Sequence, residues 1–269
     1  MADIVKWTAS KIKALKGREK FACLTAYDYF TARLVDEAAL PLVLVGDSLG
    51  MAMLGYETTL PVTLEQMLDH SAAVSRAVRS ALVVGDMPFM SYQVSREQAL
   101  QNAGRFVKEG GVGAVKLEGG ALRADTITAL VQNGIPVLGH IGLTPQSLRE
   151  LGGYKVQGRR PEEAERLLAD ARALEKAGVF AIVLECVPRE LGAELTAAVR
   201  VPTIGIGAGP DCDGQILVCH DMFGMTPAEA VPKFVKRYGE VGAVMRQALS
   251  AYRDEVRTGR FPADAQSYS

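Results

Sequence analysis

Acidic residues stand at the ends of short apolar runs along this chain. Asp47-Ser48 follows the run at 42–46, Asp86 follows 81–85, Glu118 closes 114–117 and Glu185 closes 181–184. His140 ends the run at 136–139, and Lys116 lies two residues before Glu118. Asp47, Asp86 and Glu118 are hard oxygen donors, which suit Mg²⁺ better than zinc, and no Cys/His cluster competes with them. Taken singly, each acid reads first as a helix cap or a surface ion pair. Brought to one place, they would repel one another and demand a cation or a proton. Lys116 and Glu118, two apart, project to the same side of a strand. Lys116 could then hold an anionic substrate beside a metal-facing carboxylate, or simply pair with Glu118. Glu185 ends an apolar run, where partial desolvation suits a carboxylate that takes up a proton; the first turn of a helix would also accept it. His140 could hydrogen-bond substrate or satisfy loop backbone.

The elements that must position these groups follow from periodicity. Runs at 21–25, 42–46, 81–85, 114–117, 136–139, 181–184, 202–206 and 216–219 are mostly continuously apolar, as in parallel strands covered on both faces. Helical patterns lie between them. Thr63 is a candidate N-cap for 63–79, Ser95 to Gln98 fits a capping box, and Pro161 opens a segment that stops at Gly178. Eight alternations predict a single (β/α)8 TIM barrel over 1–269, with an N-terminal extension and an extended C-terminal helical segment. An open doubly wound sheet is the alternative. In a barrel, catalytic groups sit where strands end, and the acids fall there.

Some segments exceed the simple repeat. The connection 141–160 is long enough to be a functional loop over the barrel mouth, and 233–260 reads as a solvated helical face or a subunit contact. Gly205-Ile206-Gly207-Ala208-Gly209 could cradle phosphate or merely give backbone clearance. Met51, Met53, Met87 and Met90 read as packing residues.

The totals exclude several classes. With 30 Lys+Arg against 31 Asp+Glu, the chain lacks the basic excess of a nucleic-acid or anionic-membrane surface. No apolar run approaches the roughly 18–20 residues of a transmembrane helix, and residues 1–6 lack a secretory core. Cys23, Cys186, Cys212 and Cys219 form no pair motif and read as buried reduced thiols. A cytoplasmic location is expected.

The motifs taken together carry a resemblance. They are Leu24-Thr25-Ala26-Tyr27-Asp28, Val45-Gly46-Asp47-Ser48-Leu49-Gly50, Asp86-Met87-Pro88-Phe89-Met90, Val115-Lys116-Leu117-Glu118-Gly119-Gly120, Gly139-His140-Ile141-Gly142-Leu143-Thr144-Pro145-Gln146-Ser147 and Leu184-Glu185-Cys186-Val187-Pro188. In this order, and over nearly the whole chain, the sequence resembles the ketopantoate hydroxymethyltransferases. The resemblance implies a Mg²⁺-dependent barrel that transfers a one-carbon unit from 5,10-methylenetetrahydrofolate to 3-methyl-2-oxobutanoate, giving 2-dehydropantoate on the route to pantothenate and coenzyme A. It implies Asp47 and Asp86 as direct metal ligands at the substrate, and Glu118 as a third, directly or through water. Ser48 and Lys116 are implied as substrate contacts and Glu185 as proton acceptor, with His140 added as a substrate contact from its position alone. It further implies a homo-oligomer, commonly a decamer. Ala265-Gln266 stands where many members carry Glu-His, which bears on the tail and not on the chemistry. The alternatives are a Mg²⁺-dependent α-keto-acid lyase or mutase barrel, which would carry a reactive cysteine loop absent here, and a non-catalytic metabolite-binding barrel.

Overall fold

Eight apolar runs become parallel strands: β1 (Phe21–Thr25), β2 (Leu42–Val45), β3 (Leu82–Asp86), β4 (Ala114–Glu118), β5 (Val137–Gly142), β6 (Ala181–Glu185), β7 (Thr203–Ile206) and β8 (Gly214–Leu217). Each pairs with the next, and β8 pairs with β1 to close the barrel. The structure, a computed structural model, describes residues 6–268, so the leader reading at 1–5 lies outside it. The chain divides into two compact units, Met1–Val218 and Cys219–Ser269.

Strand periodicity sorts residues between two faces. Phe21 and Cys23, Leu42 and Leu44, Leu82 and Val84, Ala181 and Val183 join Ala114, Leu138, Ile204 and Ile216 in one buried cluster. Ile12 and Leu15, from the helix α1 (Ala9–Lys13) and the turn after it, enter that cluster beside Phe180, the residue just before β6. Apolar packing therefore fills the barrel from the N-terminal ends of its strands.

The helices around the barrel are α2 (Tyr29–Glu37), α4 (Leu64–Ala77), α5 (Arg96–Lys108), α6 (Ala124–Gln132), α8 (Pro161–Ala177) and α9 (Arg189–Ala198); α3 (Leu49–Ala52) and α7 (Leu148–Leu151) are single turns in the connections after β2 and β5. Thr63 caps α4 with a reciprocal bond from Gln66, which satisfies two otherwise orphaned donors. At α5 the expected box is incomplete: Ser95 accepts from the Gln98 N–H, but the Gln98 side chain takes the N–H of Val94. Gly85 faces α5, where an added Cβ would lie 2.6 Å from the Phe106 ring. A small residue in β3 is thus what lets Phe106 bury completely; truncating such a ring costs about 3–5 kcal/mol.

Two strand boundaries differ from expectation in ways that matter. β5 continues three residues past 139, so His140 lies within the strand and faces inward instead of serving a loop. β8 begins earlier than 216, and Cys219 already opens α10 (Cys219–Met222). In the second unit, α11 (Val241–Arg257) buries only Gly242 and leaves Val244, Met245, Leu249, Tyr252 and Val256 exposed. A segment expected to show a charged face therefore also presents an apolar one.

Candidate active site

The inward rows of the barrel change from apolar to ionisable at the C-terminal ends of the strands. Leu82 and Val84 lead to Asp86, Ala114 to Lys116 and Glu118, Leu138 to His140, and Ala181 and Val183 to Glu185. Strand register sets Asp86 beside Lys116 and Glu118 beside His140. The Lys116 ammonium donates to both oxygens of Asp86, at 2.7 and 2.6 Å, and stands 3.7 Å from Glu118 Oε1. His140 Nδ1 lies 3.5 Å from Glu118 Oε1, and its Nε2 lies 3.2 Å from Glu185 Oε2. The result is an unbroken line of alternating charge across four neighbouring strands. Asp47, just past β2, joins it through its backbone N–H, which donates to Asp86 Oδ2 at 3.2 Å. Asp47, Asp86, Lys116, Glu118 and His140 are all buried, whereas the Glu185 side chain keeps 17% exposure and so faces the open mouth.

Neighbouring loops hold these groups in place. Ser48 shares a 2.8 Å hydrogen bond with the buried Tyr27 hydroxyl. The Glu185 carbonyl accepts from the Leu143 N–H at 2.8 Å, and a Cβ on Gly142 would stand 2.2 Å from that carbonyl oxygen. Gly142 also has φ +95°, so both space and backbone angle require glycine there. Cys186, directly after Glu185, adopts φ 47°, a conformation that costs a non-glycine residue about 1–3 kcal/mol. Its N–H donates to Ile206 and its carbonyl accepts from Gln157, which fixes the chain direction on leaving the proposed base.

Charge balance shapes the chemistry. Burial, then repulsion from Asp86 and Glu118, pushes the Asp47 carboxyl well above the usual range. Burial also raises Asp86, against the pull of Lys116. For Glu118 burial is outweighed by His140 and Lys116, and the group stays acidic. Burial and Lys116 work against a charged His140, but Glu118 and Glu185 prevail and its pKa is pushed up to about 9. Lys116 is raised, because its three acidic neighbours outweigh its desolvation. Carboxyl groups outnumber cationic groups in the cluster, with Asp47, Asp86, Glu118 and Glu185 gathered around Lys116 and His140, and the raised Asp47 and Asp86 express that crowding of negative charge.

A hard divalent cation fits this donor set. The candidate donors are all carboxylate oxygens, they crowd one another, and Glu118 Oε1 is buried without a hydrogen-bond partner. Among the described residues no three His, Cys, Asp or Glu side chains are already arranged around one point. Lys116 is seated on both Asp86 oxygens.

The structure thus gathers Asp47, Asp86, Lys116, Glu118, His140 and Glu185 at one mouth, with Ser48 beside Asp47. Lys116 pairs chiefly with Asp86, so of the two readings its spacing allowed, the simple pair with Glu118 is the weaker contact, at 3.7 Å. Other motifs do not join the site. Asp28 caps α2 through the N–H groups of Phe30 and Thr31. In the glycine run 205–209, Gly209 gives backbone clearance, since a Cβ there would meet the Arg189 side chain at 2.7 Å. Met87 is buried, but Met51, Met53 and Met90 are exposed instead of packed. Cys186 is partly buried, whereas Cys23, Cys212 and Cys219 are buried, and none of the four is in a disulfide. Gln146 and Tyr92, which bond to the acids, are not among the expected site residues, although Gln146 lies inside the motif 139–147 and Tyr92 two residues after the motif ending at Met90.

A closed (β/α)8 barrel with a buried carboxylate–lysine–histidine cluster at its C-terminal mouth defines an enzyme of the TIM-barrel class. Its overall fold is similar to phosphoenolpyruvate phosphomutase from Streptomyces platensis subsp. rosaceus, with TM-score 0.62 and 14% identity over 94% of this chain and 88% of that one. The family model for ketopantoate hydroxymethyltransferase matches residues 6–264, and the chain belongs to that family. It is 54% identical to 3-methyl-2-oxobutanoate hydroxymethyltransferase of Moorella thermoacetica over 100% of both chains. With the Clostridium novyi enzyme of the same name it shares 57% identity over 93% of this chain and 91% of the relative.

Proposed function

We propose that this chain transfers a hydroxymethyl group from 5,10-methylenetetrahydrofolate to 3-methyl-2-oxobutanoate, giving 2-dehydropantoate, with Mg²⁺ held by Asp47, Asp86 and Glu118. The observation that carries the reading is the line Glu185–His140–Glu118–Lys116–Asp86, which sets a partly exposed carboxylate beside a buried, charge-deficient oxygen site. Asp47, Asp86 and Glu118 would hold a divalent cation there, and its charge would make the C3 proton of an α-keto acid more acidic.

The chain's own groups do the rest. Glu185, the most exposed acid of the line, takes the C3 proton. His140, charged and 3.2 Å from Glu185, fixes that carboxylate's orientation and faces the substrate. Lys116 turns its ammonium to the substrate carboxylate, and Ser48 hydrogen-bonds it from the β2 end. Water adds to the folate's methylene carbon and its C–N bonds break, releasing tetrahydrofolate and the one-carbon unit as formaldehyde. The enolate carbon bonds to that carbon, and the formaldehyde oxygen takes up a proton to become the new hydroxyl.

The family resemblance supports a homo-oligomer, a decamer, and the apolar stripe on α11 is of the kind such assemblies bury. Among the described residues no helix is long and apolar enough to cross a membrane, and the reading places the enzyme in the cytoplasm.

Proton exchange tests the assignment. Incubated in D₂O with Mg²⁺ and no folate, the protein should exchange the C3 proton of 3-methyl-2-oxobutanoate, as followed by NMR. Glu185→Gln should slow exchange by about 10²–10⁴-fold. Exchange at the wild-type rate in that variant removes Glu185 from the role of base.

A further inference from the structure

Gln146 lies in the single turn Pro145–Ser147 that follows β5, and it is buried. Its side-chain nitrogen donates to Asp47 Oδ2 at 2.9 Å and to the Met87 carbonyl at 3.0 Å. Its side-chain oxygen accepts from the Tyr92 hydroxyl at 2.7 Å and from Gln93 Nε2 at 3.1 Å. Its backbone N–H donates to Glu118 Oε2 at 2.9 Å. One residue of the β5 loop therefore ties together the ends of β2, β3 and β4.

The orientation of this amide is dictated by its neighbours. Turned over, it would set oxygen against the Asp47 carboxylate and the Met87 carbonyl, and NH₂ against Gln93 NH₂. Tyr92 completes the lock, because its oxygen accepts from the Glu118 N–H at 3.2 Å while its proton goes to Gln146. A carboxylate held through one oxygen keeps a fixed direction for the other, and Glu118 Oε1 is the buried oxygen this leaves without a hydrogen-bond partner.

We propose that Gln146 is a positioning residue, locked by Tyr92, that holds Asp47 and Glu118 each by one oxygen in the geometry that receives the divalent cation. This rests on the ligand assignment of the preceding section. Neither a glutamate, which has no N–H to offer Asp47, nor a methionine of similar length reproduces its set of bonds.

The test measures Mg²⁺ binding by calorimetry on the full chain, with no substrate present. The proteins are the wild type, Gln146→Met, Gln146→Glu, Tyr92→Phe, Gln146→Met/Tyr92→Phe and, as reference, Asp47→Asn. Thermal melts in chelator establish folding. Each Gln146 variant should raise the Mg²⁺ Kd by about 10- to 100-fold and leave KM for methylenetetrahydrofolate unchanged. Tyr92→Phe should shift Kd in the same direction by less, and the double variant should bind no more weakly than Gln146→Met alone. Wild-type Kd in the folded Gln146 variants overturns the proposal, as does a raised folate KM at unchanged Kd, which would make Gln146 a substrate contact. If the Gln146 variants do not fold, Tyr92→Phe decides, and a wild-type Kd there overturns the lock. A wild-type Kd in Asp47→Asn instead overturns the ligand assignment itself, and the role of Gln146 falls with it.

Discussion

Replacing Lys116 by methionine removes one charge from the buried cluster and nearly conserves volume. Its ammonium is 2.6 Å from Asp86 Oδ2, and both residues are buried. At an effective dielectric of about 20, the attraction over that distance is roughly 6 kcal/mol. Part of it is returned because the lysine no longer has to be desolvated, and breaking one side of a buried pair typically costs about 3–5 kcal/mol. A second limit comes from protonation. Rather than keep an unpaired charge, Asp86 takes up a proton, which near pH 7 costs about 4 kcal/mol for a group of ordinary pKa about 3.9. In Lys116→Met the folded-state pKa of Asp86 rises beyond its already elevated value. A raised folded pKa means stability that is full below the unfolded pKa and is lost as pH rises toward the folded one. The destabilisation should therefore be about 3–4 kcal/mol near pH 7 and fall to about 1.5 kcal/mol near pH 5. Urea unfolding at both pH values, in chelator and at one protein concentration, measures it. A loss that is the same at both pH values would refute the reasoning, because it would mean that Asp86 is not left as an uncompensated charge.

Two further outcomes are expected. Asp213 ties the start of β8 to Lys16 at 2.9 Å and to the Thr203 N–H at 2.8 Å; burial acts against its charge, but these bonds outweigh it and hold its pKa below the usual value. Its contribution is thus present above the ordinary aspartate pKa and lost as pH falls through the depressed one. Asp213→Asn should cost about 2 kcal/mol near pH 7 and progressively less in acid, and urea melts with a constant difference would contradict this. Gly142→Ala places a Cβ 2.2 Å from the Glu185 carbonyl oxygen at φ +95°. Displacing the base by about 1 Å should slow C3-proton exchange about 10²-fold in protein that still binds Mg²⁺, and a wild-type exchange rate would show that β6 tolerates the shift.

Much of the framework was legible locally. Thr63 announced its helix because a hydroxyl and a glutamine three residues on satisfy each other's backbone donors. The strands were legible because parallel strands covered on both faces must be apolar throughout. β5 runs past 139, where its end is expected because His140 and Gly142 interrupt that pattern. They are there because the strand end is part of the site, where close packing and polarity override strand preference. Gln146 left no local signature: its partners Asp47, Met87, Tyr92 and Gln93 lie far away in sequence, and only folding brings them within 3.1 Å.

By itself, the sequence determined which groups can act and on which strand face they stand, since side chains alternate with period two and Lys116 must share a side with Glu118. Closure of the barrel decided what those groups do to one another. It put Lys116 on Asp86 of the neighbouring strand at 2.6 Å, and left Glu118 at 3.7 Å to face His140. Charge energies depend on distance and on removal from water, and both quantities exist only once the eight strands enclose a common interior.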